Sequence, residues 1–181
     1  KKFKYPDYFY PEIKKYVDSD FDFDEIPENF EDKREIGQND NSICELIRND
    51  QIDEFIEYVK SNKLSLSTNI KQSIFETNQF LIGKEPSLIE YSAFFGSAKV
   101  FKYLYQILGD NDNSIFLYTI HGNNLAIFHL LEENNDLYEK DSYFYCKCIK
   151  ELIKCHHIEW CTFFENHFIL NDDHSPDFIS Y

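Results

Sequence analysis

One pattern of apolar residues recurs along this 181-residue chain and constrains its fold more than any other feature. The stretch SLIEYSAFFGSAKVFKYL, residues 87–104, aligns without gaps on SIFLYTIHGNNLAIFHLL, residues 114–131, after a shift of 27 positions. A backward shift of 45 positions aligns it on residues 42–59, and residues 147–164 form a fourth copy, 33 positions after the third. Apolar character is kept in the same columns while the others vary, which is typical of a structural unit and not of a catalytic motif.

Each copy is predicted to begin with a helix of about two turns. Ser42 and Ser87 are followed three residues later by Glu45 and Glu90, which is the pattern of a capping box. In such a box the serine oxygen accepts from a free amide of the first turn, and the glutamate bonds back to the backbone of the serine. In the fourth copy Lys147 stands at the position of the hydroxyl.

A tight turn and a second helix are predicted to follow. One column holds Gly96, Asn123 and His156, residue types that tolerate the positive φ of an interhelical turn. The first copy has Gln51 in this column, a weaker fit, with Asp50 beside it. After the turn, apolar residues recur at helical spacing and predict one buried face. In the second copy these residues are Val100, Phe101, Tyr103 and Leu104.

Short helices of this kind cannot bury their apolar faces alone, so neighbouring copies are expected to stack. The predicted fold is therefore all-α, a helical-repeat solenoid of about four helix-turn-helix units over residues 41–168. Residues 69–86, between the first and second copies, leave room for an extra short helix or an insert. The acidic, aromatic residues 1–40 are predicted to form a cap or a linker, and residues 169–181 a tail or the start of a further repeat.

The second copy resembles an ankyrin repeat, a unit of about 33 residues. The ankyrin consensus runs T-P-L-H-x-A-A, two variable residues and then G-H-x-E-I-V-x-L-L. The matching residues are Ser87 for Thr, Ile89 for Leu, Ser92 and Ala93 for Ala-Ala, Gly96 for Gly, Val100 and Phe101 for Ile-Val, and Tyr103 and Leu104 for Leu-Leu. Over about residues 41–165, the segments YSAFFGS, YTIHGNN and IKCHH look like a divergent ankyrin-type domain of unknown function, which occurs in large protist ankyrin families.

The copies depart from the ankyrin pattern in two respects. Leu88 and Glu90 stand where the consensus has Pro and His, and no copy contains that pair. The spacing between copies also varies, so the hairpin-like loops of standard ankyrins are expected to be shortened or absent. The resemblance implies a non-enzymatic protein-protein interaction scaffold whose partner is another protein, with no cofactor and no catalytic residue. Fold alone does not decide function, so this step is an analogy.

The resemblance also implies where a partner binds, because ankyrin stacks bind along the concave face made by first helices and loops. The residues expected to contact the partner are Phe94, Phe95, His121, Lys154 and His157. Two adjacent aromatic residues cannot both point into the same core, so an exposed phenylalanine here would mark a partner site. In the alternative interpretation, one of the two packs on a neighbouring repeat or is covered by the N-terminal segment.

The formal charge of −15 and the lack of a basic stripe argue against nucleic-acid binding and against anionic membrane surfaces. No long apolar run is present, so no membrane insertion is expected. Acidic residues are concentrated in residues 18–35, which predict a solvated or partly disordered segment. The alternative is an acidic-aromatic docking segment, because Phe21, Phe23 and Phe30 lie among the carboxylates. The chain contains no methionine and is expected to be a processed product or a piece of a longer protein.

The cysteines raise the question of a metal site, because CKCIKELIKCHHIEWC, residues 146–161, holds four of the five together with two histidines. The alignment assigns Cys148 and Cys161 to core columns and His156 to the turn column. Cys146 has no packing assignment either, but the Cys146-x-Cys148 spacing makes a poor chelate. The spare ligands are then Cys155, His157 and His167, too few for a closed zinc site, so neither a metal nor a catalytic thiol is predicted. An odd cysteine count without framework spacing indicates a reducing, cytoplasmic setting. A structural subunit of a cytoskeletal or multiprotein assembly is the second functional alternative, and a metal-binding protein is the least favoured.

Overall fold

The computed structural model describes residues 8–13, 16, 29–109, 114–134 and 142–164, and these are mostly helical. The helices within these ranges are α1 Tyr10–Ile13, α2 Phe30–Ile36, α3 Ser42–Arg48, α4 Ile52–Ser61, α5 Leu88–Phe94, α6 Ala98–Leu108, α7 Ser114–Gly122, α8 Leu125–Asn134, α9 Ser142–Lys154 and α10 Ile158–Phe164. Within these residues the β-structure is one isolated antiparallel bridge between Asn69 and Ser87. The all-α prediction is confirmed, whereas Phe21, Phe23 and His167 lie outside the described residues.

The helices pack as neighbouring pairs. Within each pair, α3 contacts α4, α5 contacts α6, α7 contacts α8 and α9 contacts α10. Between pairs, α5 packs on both α3 and α7, and α7 packs on α9, so these four helices form what we call the first-helix row. The second helices α4, α6 and α8 make the corresponding contacts in chain order. No helix of the described part is long and apolar enough to cross a membrane.

The apolar columns of the sequence form the core between these helices. Val100, Phe101 and Leu104 are buried in α6, and Tyr103 is half-buried against the same cluster. Cys148 of α9 is completely buried, as its column predicts, while Cys161 is half-buried at the edge of the core. Burial of these side chains is the main force that holds the short helices together.

The predicted turn residues adopt the expected left-handed backbone in three copies. Gly96, Asn123 and His156 have φ values of 66°, 46° and 60°. In the first copy the prediction at Gln51 is wrong, because the positive φ of 51° belongs to Asp50. Aspartate tolerates this conformation better than glutamine because its short polar side chain can bond locally.

The two predicted capping boxes have different outcomes. At α5 the box is formed, since the Ser87 amide donates to Glu90 Oε2 at 2.7 Å and the Glu90 amide donates to Ser87 Oγ at 3.4 Å. At α3 it is wrong, because Asn41 is the cap and its Oδ1 accepts from the Ile43 amide at 3.2 Å. Both Asn41 and Ser42 are good capping types, and the chain uses the earlier one.

The fourth copy also begins earlier than its alignment indicates. Helix α9 starts at Ser142, five residues before Lys147, and runs for 13 residues. The alignment compared equal lengths of sequence and therefore missed the additional first turn. Lys147 is thus an exposed position inside the helix and has no role in capping its start.

Residues 62–87 form an insert without a helix, so the alternative of an extra short helix is wrong. Local side-chain bonds compete with a helix there, because Ser73 Oγ accepts from the Phe75 amide and Asn78 Oδ1 accepts from the Phe80 amide. The insert is nonetheless packed, with Ile70, Phe75 and Leu81 buried. Its Phe75 ring meets Phe30 of α2, with the ring centroids 5.3 Å apart. The acidic segment is therefore anchored at its end, where α2 lies against the insert.

Candidate functional site

A pocket of about 740 Å³ lies between the end of the insert and two helices of the first-helix row. Insert residues 78–80 and Lys84 form one side, and α7 and α9 form the other. The lining residues on that side are Leu117 and His121 of α7, Lys147, Lys150, Glu151 and Lys154 of α9, and Cys155 directly after α9. Three separate parts of the chain thus converge on one concave surface, which we call the lysine pocket.

The lysine pocket is basic although the chain is strongly acidic. Lys84, Lys147, Lys150 and Lys154 line it, and Glu151 is the single acidic lining residue. The whole chain, in contrast, has 18 lysines and arginines against 33 acidic residues. All four lysines are exposed, although Lys154 Nζ already bonds to Glu151 and Lys84 Nζ lies on the Phe80 ring. A local excess of positive charge of this kind attracts carboxylates or other anions.

The wall of the lysine pocket is aromatic and comes from the insert. The Phe80 ring stacks on Phe94 at a centroid distance of 5.7 Å and lies 4.1 Å from the His121 ring. It also meets Tyr118 edge-on at 5.0 Å. Lys84 Nζ lies 3.2 Å above the Phe80 ring centroid, within the range of a cation–π contact. The pKa of Lys84 is lowered, because the effect of burial is larger than the opposite effect of the nearby Glu151 and Glu90 charges.

Three chemically active side chains meet at the base of the lysine pocket. His121 Nε2 and Glu151 Oε1 are 3.0 Å apart, and Cys155 Sγ lies 3.5 Å from His121 Nδ1 and 4.0 Å from His121 Nε2. The other carboxylate oxygen of Glu151, Oε2, accepts from Lys154 Nζ at 2.8 Å. All three side chains are half-buried, so they face the pocket without being freely hydrated. We refer to them as the His121 cluster.

Burial and hydrogen bonding shift the three groups in different directions. Burial lowers the pKa of His121 and outweighs the hydrogen bond and charge of Glu151, so the imidazole is neutral at pH 7. Burial opposes ionisation of Glu151, but the hydrogen bonds from Lys154 and His121 prevail and leave its pKa below the usual value. Burial and the Glu151 charge raise the pKa of Cys155. The site therefore holds a thiol rather than an activated thiolate, which does not suit nucleophilic catalysis.

The predicted partner residues lie in different places relative to the lysine pocket. His121 and Lys154 line it. Phe94 is only 7% exposed, and its ring packs against that of His121 at a centroid distance of 4.9 Å. Phe94 thus packs on the neighbouring copy, as in the alternative interpretation of the Phe94–Phe95 pair. Phe95 is half-buried and lies against Tyr91 at 4.7 Å. His157 is not among the lining residues and precedes α10.

Sequence reasoning missed most of the lysine pocket. Phe80 and Lys84 belong to the insert, which has no periodicity from which a position could be inferred. Lys147, Lys150 and Lys154 are separated by three and four residues, which places them on one face of a helix. That spacing was a usable signal for a basic face, although it does not show what the face meets.

Comparisons with known proteins give no family for the chain. No protein-family model matches it, and no curated protein and no solved structure matches it either.

Proposed function

We propose that this protein is a non-enzymatic interaction module built from stacked ankyrin-type units, and that it binds another protein through the lysine pocket. Four consecutive helix-turn-helix pairs and the left-handed turn residues support stacked units of this type. The observation that carries the binding proposal is the lysine pocket itself, which lies on the first-helix row. The resemblance to ankyrin repeats implies that a partner binds on this face.

The proposed partner presents an acidic segment that carries an apolar or aromatic side chain. Four lysines at the rim favour carboxylates by charge complementarity. The Phe80 and Leu117 side chains offer an apolar surface within the same pocket. Buried aromatic anchors supply much of the binding energy at protein interfaces, and complementary charges add specificity and faster association. The neutral His121 adds a hydrogen-bonding group that does not repel either part of such a segment.

A fluorescence-anisotropy titration tests this proposal with two labelled peptides. One peptide alternates aspartate with phenylalanine, and the second replaces every aspartate with asparagine. We expect saturable binding of the acidic peptide and at least several-fold weaker binding of the neutral one. Changing Lys147 and Lys150 together to glutamine should weaken acidic-peptide binding about threefold to thirtyfold, at about 0.3–1 kcal/mol for each charge.

The matched control removes the same charge from the second helices. Lys99 and Lys102 are exposed on α6, and changing both to glutamine should leave peptide affinity unchanged. Equal loss in both double variants would mean that only net charge matters, and it would overturn the lysine pocket as the binding site. Phe94 is a poor choice for substitution because it is buried, and its loss would loosen the wall of the pocket.

A purely structural subunit would give a different result. It would bind neither peptide saturably, and it would instead associate with copies of itself or with an assembly as its concentration rises. Sedimentation velocity over a range of concentrations detects such association. Saturable peptide binding by a protein that stays monomeric would favour the interaction module over the structural alternative.

A further inference from the structure

We propose that His121, Glu151 and Cys155 bind one transition-metal ion, with Zn²⁺ the ion that suits them best. This site was absent from the sequence-based expectations, which considered only cysteines and histidines close together in the chain. His121 is distant from Cys155 in the sequence, and Glu151 is neither a cysteine nor a histidine. The packing of α7 on α9 brings His121 and Glu151 together. The proposal does not rest on the nature of the macromolecular partner.

The ligands have the placement that a small metal site needs. Glu151 lies in the last turn of α9, and Cys155 is the residue directly after this helix. The Cys155 amide still donates to the Glu151 carbonyl at 2.9 Å, so the two residues, four positions apart, keep helical spacing and lie on the same face. His121 approaches them from the last turn of α7. One ligand atom from each side chain can be chosen such that all three lie within 4.8 Å of one another. A helix pair that is already packed therefore holds the ligands together before any ion binds.

The distances between ligand atoms are close to those of a tetrahedral site. Zinc bonds of about 2.0–2.3 Å place neighbouring ligand atoms about 3.3–3.7 Å apart. The Nε2–Oε1 distance of 3.0 Å and the Nε2–Sγ distance of 4.0 Å bracket that range. Three protein ligands leave a fourth position, which opens toward the lysine pocket and can take water or a group from a bound partner.

The donor set selects among metals. A thiolate, an imidazole and a carboxylate suit a borderline-soft ion such as Zn²⁺ and do not suit Mg²⁺ or Ca²⁺, which prefer all-oxygen ligands. Co²⁺ accepts the same ligands and serves as a spectroscopic substitute. The bond from Lys154 Nζ to Glu151 Oε2 orients the carboxylate and leaves Oε1 for the metal, in the manner of supporting residues around known sites.

The charges around the site partly oppose a cation. Lys84, Lys147, Lys150 and Lys154 line the same pocket and repel a divalent ion. Binding releases the Cys155 thiol proton to solvent, so the local charge rises by one unit and not by two. The thiolate and the Glu151 carboxylate together neutralise the ion. The thiolate is thus formed by metal binding and is not required beforehand.

A cobalt titration of the metal-stripped 181-residue chain tests the site. We expect about one equivalent of Co²⁺ to bind and to produce a thiolate-to-cobalt charge-transfer absorption in the near ultraviolet, which Zn²⁺ then displaces. Cys155→Ser should abolish this absorption. Glu151→Gln should weaken cobalt binding at least about tenfold, because a neutral amide is a poor ligand for the metal.

Cys146→Ser is the matched control, since it removes the thiol of another half-buried free cysteine, which lies within α9. It should leave both the absorption and the affinity unchanged. Absence of the absorption in the wild-type protein at excess Co²⁺ would overturn the proposal, whatever the variants do. Equal absorption in wild type and Cys155→Ser would overturn it as well.

The metal test and the peptide test are independent, so a negative result in one does not decide the other. Cobalt binding is measured without peptide, and peptide binding is measured in metal-stripped protein. Loss of peptide binding in the Lys147 and Lys150 double variant says nothing against the metal site. Conversely, a protein that binds the acidic peptide but gives no cobalt absorption would leave the interaction module intact and would remove the metal.

Discussion

Gly122 lies so close to the preceding helix pair that the backbone leaves no room for a side chain. A Cβ atom built there would be 2.0 Å from the carbonyl oxygen of Ala93 and 2.8 Å from the amide nitrogen of Gly96. Both neighbours are backbone atoms, so no side-chain rotation can relieve the contact. Asn124 adds a bond at the same junction, since its Nδ2 donates to the Gly96 carbonyl at 2.9 Å.

Gly122→Ala is therefore expected to destabilise the protein, by at least about 1–3 kcal/mol from overpacking. Helix propensity alone predicts the opposite sign, a gain of about 1 kcal/mol for alanine over glycine. The free energy of unfolding from urea denaturation distinguishes the two. A more stable variant would mean that α5 and α7 do not approach as closely as described.

Asp40 gives the fold a pH dependence at the residue scale. Ser73 Oγ donates to one carboxylate oxygen at 2.8 Å, and Lys33 Nζ bonds to the other at 3.0 Å. Burial opposes ionisation, but these bonds outweigh it and hold the pKa of Asp40 below its usual value. The carboxylate thereby joins α2 to the insert.

A depressed folded-state pKa contributes stability above the unfolded pKa of about 4, and this contribution is lost as the pH falls through the folded value. The free energies of unfolding of wild type and Asp40→Asn should consequently differ at pH 6 and start to converge below pH 4, and the difference due to ionisation is lost once the pH is below the lowered folded-state pKa of Asp40. Urea denaturation at a series of pH values gives both curves. A gap that stays constant down to pH 3 would contradict the role of Asp40 ionisation.

At the scale of elements, the start of α6 is capped from the preceding helix pair. Asp50 accepts from the Lys99 amide at 3.0 and 3.1 Å and from the Val100 amide at 3.0 Å. Ser97, the residue at the cap position, makes no side-chain capping bond. Its buried Oγ has no hydrogen-bond partner among the described residues. The left-handed turn of one pair thus stabilises the second helix of the next.

Replacing Asp50 separates its capping role from its backbone conformation. Asp50→Gly keeps the positive φ accessible but removes the cap, and should cost about 1 kcal/mol of unfolding free energy. Asp50→Asn keeps an acceptor and should cost much less. Ser97→Ala, in contrast, should be neutral or stabilising because an unsatisfied buried hydroxyl is removed. Thermal denaturation ranks the three variants, and a larger loss for Ser97→Ala than for Asp50→Gly would contradict the assignment of the cap.

The elements show which parts of the fold were predictable from sequence. The columns of Gly96, Asn123 and His156 predicted the turns because few residue types tolerate their backbone. The start of α3 was placed one residue late because Asn41 and Ser42 cap equally well. The insert was not predictable, since its structure depends on individual side-chain hydrogen bonds and on the contact of Phe75 with α2. The lysine spacing on α9 indicated a basic face, but Glu151 joins His121 only through packing between helices.

At the scale of the whole molecule, the helix pairs make their main contacts with adjacent pairs. Such an arrangement approximates a chain of nearest-neighbour interfaces, in which stability can be lost locally. Leu152 is completely buried in α9, which packs on α7 and α10. The α3–α4 pair lies at the other end of this sequence of contacts.

Leu152→Ala should leave a cavity and lower the free energy of unfolding of the helices around it by about 2–5 kcal/mol. Native-state hydrogen exchange should show faster exchange in α9, α10 and α7, while α3 and α4 keep most of their protection. Mass spectrometry of peptic fragments assigns the exchange of backbone amides to individual helices. A uniform loss of protection over all helices would instead show that the chain unfolds as one cooperative unit.

The basic lining of the lysine pocket affects how fast an acidic partner would arrive. Far from the surface, such a partner meets the repulsive field of a molecule with net charge −15. At physiological ionic strength that field decays over about 8 Å, so the nearby lysines determine the attraction only once the two molecules almost touch. Added salt would consequently accelerate the approach while weakening the final contact. Encounter and retention would thus respond to salt in opposite directions.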